Sequence, residues 1–178
     1  MKHFSIILFA ILVISSCRDK GLEMIQDKSW FPYKLKSNII YENQKGLMDS
    51  LTIAFLDSSN KWNHGDFVSG GYEEYRACTL KSNKFNDFVI QISLDPHELG
   101  FKINYMNKLT NYYYWLYPNN SSNGSQDKNL IDSINIKNIV YHDIMIIADS
   151  SNDFEIYYNR MGILRYIIKN DTFNLKSR

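Results

Sequence analysis

Cysteine is nearly absent from this chain. Of 178 residues only Cys17 and Cys78 carry a thiol, so the fold can hold at most one disulfide. A surplus of charge is missing as well: 20 basic residues stand against 19 acidic ones. Such balance argues against nucleic acid as a partner, because phosphate binding needs a basic excess. No segment outside the first fourteen residues sustains a 3.6-residue apolar period, and no internal repeat is visible. Local motifs of catalysis are missing too. There is no Gly-x-Ser-x-Gly elbow, phosphate-binding glycine loop or dinucleotide fingerprint, so no cofactor is expected.

What is present is a body of short, β-branched and aromatic runs. Hydrophobic residues make up 44% and aromatics 15% of the chain, enough for one domain with a sizeable core. The last forty residues carry the strongest pattern. Ile139–Ala148, Phe154–Asn159 and Ile163–Lys169 are apolar runs divided by polar turns, with a tail at Thr172–Leu175, and they read as an antiparallel meander. Ile144-Met145-Ile146-Ile147-Ala148 is apolar on both faces. That predicts a central strand covered on both sides, either by Trp30-Phe31-Pro32-Tyr33 or by a second subunit.

Further upstream, Ile39–Glu42 and Leu47–Phe55 form a predicted hairpin with Gly46 supplying a positive φ in the turn. Its second strand places Leu47, Asp49, Leu51, Ile53 and Phe55 on one face, the expected core face. Asp57 to Gly71 reads as a polar loop. Tyr72–Leu80, Phe85–Leu94, Phe101–Met106, Asn111–Tyr117 and Leu130–Ile136 read as further strands. The expected fold is all-β, an antiparallel sandwich or partly open barrel of about ten short strands with a C-terminal meander.

Several residues invite a chemical reading. His64-Gly65-Asp66 pairs a base with a carboxylate, yet no partner ligands accompany it, and a polar loop explains it. His142 and Asp143 are strand neighbours and point to opposite faces. No metal site is expected. Cys78, in the stretch Tyr75-Arg76-Ala77-Cys78-Thr79-Leu80-Lys81, reads as a small buried hydrophobe. The aromatic run Asn111–Tyr117 is the best ligand-binding candidate. Tyr113, Trp115 and Tyr117 share one face, where flat rings with polar tips suit sugars, peptides or lipid headgroups.

The N-terminus reads as a processing signal. A basic start at Lys2 and His3 precedes an apolar run, Phe4 to Ile14, of signal length and too short to span a bilayer. Ile14-Ser15-Ser16-Cys17 follows and resembles a bacterial lipobox. The resemblance implies cleavage before Cys17 by the lipoprotein signal peptidase, thioether lipidation of Cys17 and acylation of its amine. The mature chain then begins at Cys17, with residues 17–29 as a polar tether and 30–178 as a single β domain. With Cys17 lipidated, Cys78 has no partner for a disulfide. The body, with its Trp30-Phe31-Pro32-Tyr33 start and the ending IYYNRMGILRYI, is similar to small β-rich lipoproteins of the Bacteroidota. That resemblance implies a cell-envelope location, lipid-anchored at the outer membrane, with a periplasmic or surface face left open. Asp49-Ser50-Leu51 and Asp132-Ser133-Ile134 match the O-glycosylation pattern of that group, at Ser50 and Ser133.

Three functions are compatible with these features. The preferred one is a non-catalytic binding or assembly module in the envelope, with a protein or glycan partner. The others are a carrier of lipid or another apolar ligand in a half-open barrel, and an envelope hydrolase using His64 or His142 with distant acids.

Overall fold

A computed structural model describes residues 20–63, 71–115, 130–149 and 153–177, with the side chains of 20, 21, 23, 62, 63, 114 and 115 excepted. The chain is all-β, and its strands form one curled sheet, a half-barrel.

In chain order the strands are β1 (Lys20–Glu23), β2 (Asn38–Asn43), β3 (Met48–Asn63), β4 (Gly71–Ser82), β5 (Val89–Leu94), β6 (Glu98–Tyr105) and β7 (Lys108–Trp115). They continue as β8 (Leu130–Ile136), β9 (Ile139–Ala148), β10 (Phe154–Asn159), β11 (Gly162–Ile168) and β12 (Asp171–Ser177). A 3-10 turn at Lys28–Trp30 is capped by the Asp27 carboxylate, which accepts from the Ser29 N–H. Across the sheet the order is β7-β6-β5-β4-β3-β2-β12-β11-β10-β9-β8. Every pair on this path is antiparallel. β1 lies off the path and pairs in parallel with the start of β4.

Turn chemistry sets the registers. Met106-Asn107, Lys137-Asn138 and Lys169-Asn170 each hold two successive positive φ angles between 48° and 70°. That is the type I′ geometry of a two-residue hairpin, which matches strand twist and which asparagine tolerates best among side chains. Gly46 has φ 74° in the β2–β3 turn, as its position predicts, while the Asn43 side chain accepts from the Lys45 and Leu47 N–H groups.

The concave side is filled. Tyr166 of β11 stacks on Phe173 of β12 at 5.1 Å and meets Tyr41 of β2 edge-on at 4.9 Å. Phe101 of β6 meets Tyr158 of β10 edge-on at 4.9 Å, so the two arms of the curl touch across the interior. The Trp30–Tyr33 segment packs into the same core. The Trp30 carbonyl accepts from the Tyr158 hydroxyl, and the Tyr33 hydroxyl accepts from the Ile163 N–H at 3.2 Å. At the open seam Tyr112 of β7 donates to the Ala148 carbonyl at 2.8 Å, and Lys108 reaches the buried Asp149 carboxylate at 2.7 Å.

One buried acid links three parts of this core. Asp49 Oδ2 accepts from the Tyr166 hydroxyl and from Ser82 Oγ (2.7 Å), and Oδ1 accepts from the N–H groups of Ser50 and Lys84. The charged form is thereby fully supplied with donors, as a buried carboxylate requires.

Four expectations change. Asp57–Asn63 is strand and not loop: β3 and β4 run on together past the end of β5 as a polar ribbon, whose composition hides its pairing. Phe55 is exposed, because a bulge at Ala54 reverses the alternation that buries Asp49, Leu51 and Ile53. The ladder of β5 begins at Val89, after a turn in which the Phe88 N–H donates to Phe85. The doubly apolar strand β9 is next to the end of the sheet and not central. Its inner residues Met145 and Ile147 join the main core. Its outer residue Ile144 lies in a second cluster with Ile136 of β8 and Leu164 of β11, against which Tyr157 and Leu175 pack. Asp143, at φ 56°, breaks the pleat there. The β8–β9 hairpin thus folds back over the outer face, and Lys137 at its tip pairs with Glu42 of β2 at 2.7 Å.

Within residues 17–29, expected as a tether, the chain from Lys20 onward lies on the domain through β1, and Ile25 is buried. Burial disfavours the charge of Glu74 on β4. The Lys28 ammonium at 2.9 Å, Arg76 at 3.2 Å and the Ile25 N–H outweigh that, and hold its carboxyl below the usual range.

Candidate functional site

The outer face of β3 to β7 carries a trough of about 400 Å³. Its geometry follows from cross-strand register. One row runs Asp57–Ala77–Ser93–Gly100–Tyr113 across five strands, and the adjacent row runs Phe55–Thr79–Gln91–Lys102–Asn111. Three successive small residues, Ala77, Ser93 and Gly100, make the floor. A Cβ on Gly100 would stand 2.6 Å from Ser93 Oγ and 3.4 Å from the Tyr113 ring. Glycine therefore leaves room for the Ser93 hydroxyl, while the Tyr113 ring would lie at ordinary contact distance from a Cβ there. Tyr113 is 59% exposed and forms one wall. Opposite it stand Phe55, 55% exposed, and Tyr75, whose ring carries Lys61 Nζ 3.1 Å from its centroid.

Tyr113, chosen from the sequence, thus lines the trough. Trp115 belongs to β7 and pairs with Glu98, but its side chain lies outside the described residues, as does Tyr117. Sequence reasoning missed Gln91, Lys102 and Phe55. The signal that would find them is the register of the β3–β7 ladder, which brings a small-residue row beside polar and aromatic neighbours.

The remaining candidates do not converge. His64, Asp66 and Cys17 lie outside the described residues. His142 and Asp143 are both exposed, and the His142 carbonyl accepts from Asn159. Among the described residues no group of three or more His, Cys, Asp or Glu is placed to hold a metal ion. Cys78 is 1% exposed, and burial pushes its thiol up, which leaves it unreactive as a nucleophile. Ser50 is half-buried and bonded to Asn83, whereas Ser133 is exposed on β8, so a strand position does not hide it. No helix among the described residues is long and apolar enough to cross a membrane.

Fold and trough together define the class: an all-β half-barrel with a mixed polar and aromatic groove on its outer face. No family model, curated protein or solved structure matches the chain.

Proposed function

We propose that this protein is a lipid-anchored envelope protein that acts as a non-catalytic binding module through the outer trough of β3–β7. The carrying observation is the trough itself. Tyr113 stands 59% exposed beside a floor of three small residues, Ala77, Ser93 and Gly100, and an exposed ring over such a floor supports the reading of a binding surface. The lipobox at Ile14–Cys17 supports an anchor at Cys17, and the envelope location follows from that anchor. The concave side is occupied by Phe88, Phe101, Tyr158 and Tyr166, so a carrier would find its interior already filled among the described residues.

Replacing Tyr113, Trp115 and Tyr117 by alanine weakens partner binding at unchanged urea midpoint. Unchanged binding would remove this face from the function. The anchor is tested by fractionating cells with wild type and Cys17→Ala: the first is expected in membranes and the second in the soluble fraction. Identical fractionation would remove the lipid anchor.

A further inference from the structure

We infer that the trough takes a saccharide, laid across the strands with a sugar face against Tyr113. This rests on the reading of the trough as a binding site and narrows its ligand.

Three physical features select this class. First, β4, β5 and β6 are each paired on both sides along the trough, so their backbone groups are already engaged. An extended peptide binds a sheet by adding a strand to a free edge; the floor strands β4–β6 have none, and the free edge of β7 lies beyond the Tyr113 wall. Recognition here must come from side chains alone. Second, the lining is mixed. Flat rings at Tyr113 and Phe55 flank the amide of Gln91 and the hydroxyls of Ser93 and Thr79. A pocket for an apolar ligand is lined mostly by apolar side chains with few polar groups. Pyranose rings present the complementary surface: C–H faces for aromatic rings and hydroxyls that both donate and accept. Gln91 matches those hydroxyls because its amide also does both. Among the described residues no hydrogen bond, ion pair or ring contact engages the side chains of Gln91, Lys102 or Tyr113, so these side chains can serve a ligand. Third, the size fits. Strands are spaced about 4.8 Å apart, so the four steps from β3 to β7 span about 19 Å. The small residues occupy the three strands between the aromatic walls.

Charge refines the class. Lys61 and Lys102 stand against Asp57 in the lining, so the trough carries one net positive charge. A uronate-containing saccharide is therefore held more tightly than its neutral counterpart, and more so at low salt. The same count is far too small for a nucleic acid backbone.

The test is a printed array of defined neutral and uronate-containing oligosaccharides, probed with the full chain in detergent. Wild type is expected to bind uronate-containing members. Tyr113→Ala and Gln91→Ala are expected to raise Kd at least tenfold at unchanged urea midpoint, and Lys102→Glu to abolish the preference for uronates. A blank array for wild type overturns the saccharide assignment, as does binding that Tyr113→Ala leaves unchanged. Equal binding of neutral and uronate members overturns the charge preference. A photoreactive residue at position 111, in the same strand and the adjacent row, leaves Tyr113 in place and separates the two levels of failure. If the array is blank and cross-linking at 111 in cells captures a protein, the trough is a binding site and the ligand class is wrong. If the array is blank and nothing is captured, the trough reading fails too.

Discussion

Replacing Tyr166 by phenylalanine changes one oxygen in the centre of the core, and its effect depends on Asp49 in a calculable way. Tyr166 is fully buried, and its ring is held by Phe173, Tyr41 and Phe88, all of which remain in contact with a phenylalanine ring. The variant opens no cavity and loses one hydrogen bond to a charged acceptor, which is worth about 1.5–3 kcal/mol. Asp49 keeps its bonds from Ser82, Ser50 and Lys84, so the expected cost is at the lower end, about 2 kcal/mol. Asp49→Ala is worse. It strands the buried Tyr166 hydroxyl and takes the acceptor from the Ser82 hydroxyl, which still accepts from the Phe85 N–H, at about 1–3 kcal/mol each, for a loss of roughly 2–6 kcal/mol. In the Asp49→Ala background Tyr166→Phe then removes an orphaned hydroxyl, and its sign reverses to neutral or stabilising. Urea unfolding of the four proteins of this cycle, compared at equal m-value, measures the coupling. If Tyr166→Phe costs the same in both backgrounds, the two groups are not bonded and the reasoning fails.

Other outcomes follow from the same structure. Glu74→Gln releases the Ile25–Trp30 segment from β4, at a cost on the order of 1 kcal/mol, read as faster amide exchange confined to that segment. Because the folded carboxyl of Glu74 lies below its ordinary 4.5, its contribution is present above that pH and is lost as pH falls through the folded value. Acid titration of wild type against Glu74→Gln shows the two stabilities converging on the acid side; parallel curves would contradict the ion pair. Cys78 is expected to resist thiol reagents in the native protein and to react at the global unfolding rate in urea, and rapid native labelling would contradict its burial. Ile136→Ala, in the second cluster, costs about 2–5 kcal/mol and loosens the β8–β9 hairpin; protection of that hairpin equal to wild type would refute its fold-back.

Much of the fold was legible in the sequence because its turns are chemically explicit. The boundaries of β8, β9 and β10 coincide with the apolar runs between polar turns, and Gly46 adopts the conformation its turn needs. The illegible parts have physical causes. The β3–β4 ribbon is polar because, past β5, it has little apolar neighbour to face, and pairing without burial leaves no period to read. The bulge at Ala54 depends on how two strands are fitted together, which alternation within one strand does not reveal. Ile144–Ala148 announced two covered faces, but its cover is the chain's own hairpin, turned over at Asp143. Tyr113 stood out as an aromatic in a run of aromatics. Its partner Gly100 sits thirteen positions earlier, and only the β6–β7 register joins them.

The seam of the half-barrel is of a different kind from the rest of the sheet. Every neighbouring pair along the curl is stitched by a ladder of backbone bonds, whereas β7 meets the end of β9 through the side chains of Tyr112 and Lys108. A ladder parts only when a strand comes undone. A side-chain clasp parts by rotamer change, with both strands intact. Along this line the two arms are joined by side chains and by the core packing beneath them, such as Phe101 on Tyr158, and by no ladder of their own. Strand β7, which bears Tyr113 on its outer face, lies along that line. Whatever settles on Tyr113 sits on the strand beside the seam and not on the middle of a wall, so tension at the trough is felt first at the clasp.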